Sequence, residues 1–323
     1  SVFFGWKPSF IETTGYIIDT LLNCNETLRA RKMGDFIISM QNINGSFRSN
    51  HINQRPIIFD TGQDILGLTS LYKKTREIKY LNSAIKAANF LCRVQSNNGD
   101  WQKYSYGNKS NTYHTRVAWA LLKVYQLTEN VKYKNAAEKN LKWASLNQLE
   151  NGWFKGNNFP TPNPVSPYTH TLAYATEGFL YSFLITKKNE HLSIAKKTAD
   201  AVLNIYSRNN FLPATFDEDW NSRDNYTCLT GDAQFAIIWL NLFKITGEKK
   251  YLIFAKKMNN FLKSTQHIKS LNKNVIGAIK GSNPIYGDIL RNKGYCRFAY
   301  LNWATKFFAD SLILEDLILN KQI

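Results

Sequence analysis

The 323 residues are 44% hydrophobic and 14% aromatic, enough apolar side chain for one large core but few residues for two independent domains. A formal charge of +17 favours polyanionic partners, yet the lysines are scattered and no nucleic-acid motif is present, which argues against nucleic acid. No apolar run reaches the roughly 20 residues of a membrane span, and Cys24, Cys92, Cys228 and Cys296 stand singly, without the CxxC pairs of a zinc site or the look of a disulfide framework.

The opening SVFFGWKPSF has no basic start followed by an apolar stretch, so no signal peptide is read. A cytoplasmic address is expected; a periplasmic or secreted one requires that a leader was removed. Residues 12–23 read as an apolar helix and 26–41 as its amphipathic partner. The alternation then continues along the chain. Segments 59–75, 114–128, 170–188, 228–246 and 302–319 are apolar on nearly every face, as in HTRVAWALLKVYQL. Segments 76–95, 130–148, 189–208 and 249–266 are lysine-rich and one-sided, as in KYLNSAIKAANFL. Helices apolar all round are buried, and one-sided helices face solvent. Six inner and five outer helices predict an all-α fold, an (α/α)6 toroid one outer helix short, in a single domain over 1–323. The inner helices open near Thr13, Thr61, Thr115, Thr171 and Thr230, which are expected as N-caps.

A repeat runs in phase with the helices. QNINGSF (41–47), QSNNGDW (95–101) and QLENGWF (148–154) share one template, Gln, three residues, Gly, one residue, aromatic. A degenerate fourth copy is expected at 207–211. Because helix direction alternates, all inner-helix N-termini gather on one rim. The loops feeding them are long (42–58, 96–113, 149–169, 209–227 and 267–301), so that rim is the expected functional end and the loops the only place for strands.

The Gln/Gly/aromatic segments resemble the structural repeats of terpene cyclases and related prenyltransferases. The acidic DxDD run of those cyclases is absent, Phe216-Asp217-Glu218-Asp219-Trp220 being the nearest approach. A zinc prenyltransferase would need a Cys/His/Asp set that Cys228 and Asp232 do not complete. HTLAYATEGFL (170–180), FLPATFD (211–217) and Tyr226 resemble the C-terminal helical domain of D-glucuronyl C5-epimerases. ETTGYII, FDTGQDILGL, CLTGDAQFAIIWL, AIKGSNPIYG and NWATKFF are similar to a toroid family of bacterial surface-polysaccharide clusters. These resemblances imply a carbohydrate-active toroid.

The implied chemistry is C5 proton abstraction on an acidic, uronic-acid-containing polysaccharide, as lyase or epimerase. Tyr and His can serve as acid and base while cations hold the uronate. His170, Tyr174, Tyr226 and His114 are the catalytic candidates. Arg116, Tyr168, Trp220, Lys280, Tyr286 and Arg291 are the substrate-binding ones, and no cofactor is required. The principal alternative is a glycoside hydrolase drawing two carboxyls from Glu12, Asp60, Asp217, Asp219 and Asp232. A non-catalytic glycan-binding toroid would keep Trp6, Trp101, Trp153 and Trp220 for stacking on sugars and tolerate loss of His170 and Tyr174. A terpene-cyclase-like protein is the remaining reading.

Overall fold

A computed structural model describes residues 5, 9–48, 55–159 and 166–320. Trp6 lies outside the described residues. The helices are α1 (Ile11–Asn23), α2 (Thr27–Ser39), α3 (Ile58–Thr75), α4 (Ile78–Val94), α5 (Thr115–Thr128), α6 (Val131–Ser145), α7 (Thr169–Thr186), α8 (Asn189–Asn209), α9 (Leu229–Thr246), α10 (Lys249–Thr265) and α11 (Asn302–Leu319). The odd-numbered helices pack in a closed cycle, α1 on α3 and onward to α11, which returns to α1. Two bonds seal that last seam, Asn302 Nδ2 to Thr13 Oγ1 at 3.2 Å and Thr20 Oγ1 to Asp310 Oδ1 at 2.7 Å. Six inner and five outer helices among the described residues make the toroid expected from the hydrophobic pattern.

The inner helices are parallel because each hairpin reverses through a tight turn. Arg76, Glu129, Lys187 and Gly247 end α3, α5, α7 and α9 in the left-handed conformation, which returns the chain at once along an outer helix. The five threonines are not caps. The chain comes into α1, α3, α7, α9 and α11 from extended residues such as Phe10, Ile57 and Tyr168. The helices have therefore begun before most of the threonines, and Thr13, Thr61 and Thr171 hydroxyls donate back to the carbonyls of Phe10, Ile57 and Tyr168.

The repeat is a backbone staple. Gln41 Nε2 donates to Gly45 O and Ser83 O, Gln95 Nε2 to Gly99 O and Ala136 O, and Gln148 Nε2 to Gly152 O and Ile194 O. Each glutamine thus closes its own loop and ties it to the next outer helix. The glycines sit at φ of +93°, +98° and +90°, and a Cβ would meet the carbonyl oxygens of Lys86, Lys139 and Lys197 at 2.3, 2.4 and 2.9 Å, so both conformation and space demand glycine. The expected fourth copy at 207–211 is instead the end of α8 and its left-handed cap Asn210. The fourth staple follows α10, where Gln266 Nε2 donates to Gly277 O at 3.0 Å; a longer loop separates the pair and hides it from the template.

The long loops stitch the N-terminal rim together in a staircase. Ile58 N donates to Tyr104 O, Thr112 N to Gly156 O, Thr169 N to Ala214 O and Leu229 N to Gly281 O, at 2.8–3.2 Å. Each helix start is thereby fixed by the loop that feeds the next. Strands are confined to this rim: β1 (Thr227–Cys228) pairs antiparallel with β3 (Ser282–Asn283), and β2 (Ile279–Lys280) with β4 (Tyr300–Leu301).

Candidate active site

At the N-terminal rim the ring encloses a cavity of about 360 Å³. Its wall is aromatic, with Tyr16, Phe59, Tyr113, Phe159, Tyr295 and Trp303, and its two titratable side chains of ordinary acid–base use are Glu12 and His170. The starts of α1, α3, α7 and α11 border it, and the positive ends of those helix dipoles give the mouth a positive field without any lysine or arginine among the described wall residues.

Glu12 lies in the first turn of α1, surrounded by protein yet open to the cavity. Burial pushes its carboxyl up from 4.5 to about 7, against the opposing charge of Arg116 and the nearby Tyr174 hydroxyl. Asp60, in the first turn of α3, is wholly buried beneath Tyr106, whose hydroxyl donates to Asp60 Oδ1 at 2.9 Å. Burial and then the neighbouring Glu12 hold the Asp60 carboxyl well above the usual range. Asp64, one turn further along α3, is pushed the same way, and neither of its oxygens has a partner. Glu12 is thus the open end of a cluster of carboxyls that resists ionisation.

His170, in the first turn of α7, faces Glu12's cavity from the other side. Its Nδ1 bonds Gln234 Oε1, and Gln234 Nε2 donates to Glu177 Oε2 at 3.2 Å. Glu177 is ion-paired with Arg116, whose Nε donates to Gln63 Oε1 at 2.9 Å. This chain crosses the ring through α3, α5, α7 and α9 and forms the cavity floor. It assigns the His170 proton to Nδ1 and leaves Nε2 as the lone-pair nitrogen. Burial pushes the His170 imidazole down to about 3, with the Gln234 bond opposing it and Arg116 assisting. Two groups facing one cavity are therefore driven in opposite directions, the acid up and the base down.

The other expected site residues fall into separate places. Tyr174 packs at a tilt against His170 at 4.2 Å and Phe59 at 4.8 Å, with the Arg116 guanidinium 4.8 Å from its ring. Burial, and then Glu12, keep it a phenol, so it can donate but not act as a base. His114, expected as catalytic, is walled off between Trp101, Tyr113 and Phe59; burial lowers it to about 3 and neither ring nitrogen has a partner. Tyr226 is likewise buried, against Tyr168, outside the cavity wall. Tyr168 supports the wall from behind, 5.1 Å from Tyr295.

Arg116, expected to clamp a carboxylate of the substrate, is taken up by Glu177 and Gln63 in the floor. Lys280, Tyr286 and Arg291 lie in the loop over the rim but not on the cavity wall: Lys280 Nζ donates to Asn283 Oδ1, Tyr286 is exposed, and Arg291 pairs with Asp288. Trp220 packs on Phe216 and donates to Asn151 O. Trp101 is buried and donates to Leu91 O, so it packs the loop. Asp217 accepts from the backbone of Asp219 and Asn221 in an exposed turn, which accounts for both aspartates. Asp232 is buried and accepts from the Thr227 hydroxyl. Among the described residues no three His, Cys, Asp or Glu side chains converge as metal ligands would, and no helix is long and apolar enough to cross a membrane.

The pectic acid lyase family model matches residues 59–120, less than half of the chain. Solved structures of this shape include an unsaturated glucuronyl hydrolase from Bacillus sp. GL1, with TM-score 0.76 and 14% identity over 100% of this chain and 90% of that one. A sugar epimerase from a ruminal bacterium has TM-score 0.70 and 12% identity, over 94% and 87% of the two chains. An alpha-mannanase from Bacteroides thetaiotaomicron has TM-score 0.64 and 16% identity, over 97% and 88%. At such identities the likeness defines the fold, the helical toroid. Among curated protein sequences none matches the chain.

Proposed function

We propose that the chain is a carbohydrate-active enzyme that hydrolyses a glycosidic bond in an acidic, uronic-acid-containing glycan. The observation that carries this reading is that one cavity is lined by both a carboxyl pushed up to about 7 and an imidazole pushed down to about 3. Titratable groups of one site whose values are forced apart take the roles of acid and base. Glu12, protonated up to neutrality, delivers its proton to the leaving oxygen. His170 Nε2 takes the proton of the attacking water. Tyr16, Tyr113, Tyr295 and Trp303 offer flat faces to the sugar rings, and the ring of helix N-termini attracts the uronate. Two of the similar structures are described as unsaturated glucuronyl hydrolases, one of them specific for heparin, which supports the substrate class.

C5 proton abstraction asks more of the site. A carbon acid needs a strong base, whereas His170 is a weak one and Tyr174 is held as a phenol. Among the described residues the cavity wall also carries no lysine or arginine to hold the uronate while charge develops beside it. The lyase reading keeps one specific support, the pectic acid lyase match, which spans Asp60, Tyr106 and Tyr113.

Incubation with pectate- and heparin-derived oligosaccharides separates the two. Hydrolysis releases new reducing ends without creating unsaturated uronic acid, and Glu12→Gln suppresses it. Ultraviolet absorbance that rises with cleavage marks a lyase, and solvent deuterium entering C5 without cleavage marks an epimerase. Either result removes the hydrolytic reading.

A further inference from the structure

The ring has a second opening. Where the inner helices end, a funnel of about 680 Å³ runs inward to the same floor. Tyr16, Arg116, Glu177 and Phe307 line its depth, and Tyr16 is shared with the first cavity, so the two spaces meet back to back across one layer of side chains. We propose that this far mouth is a ligand site in its own right, built for an oxyanion carried on a flat ring, as in an acidic sugar.

The charges converge from several helices. The Arg116–Glu177 pair closes the floor, and Lys306 pairs with Asp310 at 2.6 Å. Lys73, Lys74 and Lys123 also line the funnel, from α3 and α5, and none of them has an ion pair among the described residues. Lys73 and Lys74 sit in the last turn of α3 and balance the negative end of that helix. Lys123 lies inside α5, clear of its end, so helix-end charge does not explain it. Burial, and then the like charge of Lys123, lower the Lys73 ammonium. Asp19 is the acid acting on both, and burial pushes its own carboxyl up. Asp19 also lines the funnel and offsets the repulsion between the two lysines only in part, and an anion seated beside them relieves the remainder.

The flat ring is called for by the wall. Trp119 and Tyr181 stack in parallel at 4.3 Å and 17°, half-buried and lining the funnel. The Arg116 guanidinium lies 5.3 Å from the Trp119 ring and holds it in place. The exposed part of this aromatic pair, beside lysines that make no ion pair among the described residues, suits a sugar ring bearing a carboxylate, since the ring's C–H groups pack on the aromatic pair and the charge meets the lysines.

The test reads Trp119 directly and needs no turnover, so it stands apart from the hydrolytic reading. The full chain is labelled with 5-fluorotryptophan, and the Trp119 resonance is assigned with Trp119→Phe. Digalacturonate should shift that resonance saturably; cellobiose, with rings but no carboxylate, and inorganic phosphate, with charge but no ring, should not. Lys123→Gln should weaken the digalacturonate response roughly tenfold, the loss of one charge-assisted contact, and Lys123→Arg should restore it. Circular dichroism identifies any variant that fails to fold, and the arginine variant then carries the comparison. A Trp119 resonance that ignores digalacturonate overturns the site; an equal response to phosphate or cellobiose overturns the assigned ligand chemistry.

Discussion

The two mouths of one ring are built from the same six helices and differ in almost everything else. The mouth at the helix starts is fed by long, interlocked loops, lined by aromatic rings, and holds Glu12 and His170 in a positive backbone field without a cationic side chain among the described residues of its wall. The mouth at the helix ends is bounded by tight left-handed turns and supplies its positive charge through Lys73, Lys74 and Lys123. Parallel packing puts acid–base chemistry where loops and N–H groups are, and leaves long cationic side chains to the end where carbonyls gather. The Arg116–Glu177 floor separates the two.

The largest expected effect falls on the first mouth alone. Glu12→Gln keeps shape and hydrogen-bonding capacity but cannot deliver a proton, so glycan hydrolysis should fall by about 10²–10⁴-fold with folding intact. The pH profile of that activity sharpens the point. Hydrolysis requires Glu12 protonated and His170 neutral, so the rate should rise through about 3 and decline above about 7; Glu12→Gln should remove the descending limb from whatever activity remains.

Next comes the floor that both mouths share. Arg116→Met leaves Glu177 charged and unpaired in the centre of the ring, which should cost about 3–5 kcal/mol of stability by chemical denaturation. A smaller loss is expected from the staples. Gln95→Ala removes the side-chain bonds to the carbonyls of Gly99 and Ala136, although Gly99 O keeps Asn140 Nδ2, and should cost about 1–2 kcal/mol while leaving hydrolysis unchanged at temperatures where the fold survives. The smallest effect sets the mouths apart most cleanly: Lys123→Gln should leave hydrolysis at the other mouth as it was. A Lys123 variant that lowered turnover as Glu12→Gln does would merge the two mouths into one site.

The ring was legible because it is written redundantly. Apolar-all-round and one-sided helices alternate through the whole chain, and Gln41, Gln95 and Gln148 recur with a glycine that their carbonyl neighbours leave no room to replace. The cavity was harder to read. In a helix apolar on every face, sequence does not tell which residues turn toward the axis, so His114 was expected in the site and proves to be buried behind Tyr113. Glu12 and Asp60 appeared only as alternatives, because their chemistry depends on burial and on each other. Tyr295 reaches the wall through the irregular 267–301 loop, which no periodicity announces, and Trp303 from the first turn of α11, whose axis-facing side the pattern leaves open. Gln63 and Gln234 went unnoticed, although an amide inside an otherwise apolar helix was the available signal; they bind the Arg116 and His170 that sequence did single out.

The most direct measurement is a carboxyl titration of Glu12, followed by carbon-13 nuclear magnetic resonance on glutamate-labelled protein and assigned with Glu12→Gln. A midpoint near 7 is expected for a proton donor held at the mouth of the ring. A midpoint at the ordinary value of 4.5 would leave Glu12 ionised at neutral pH and contradict its role as the acid.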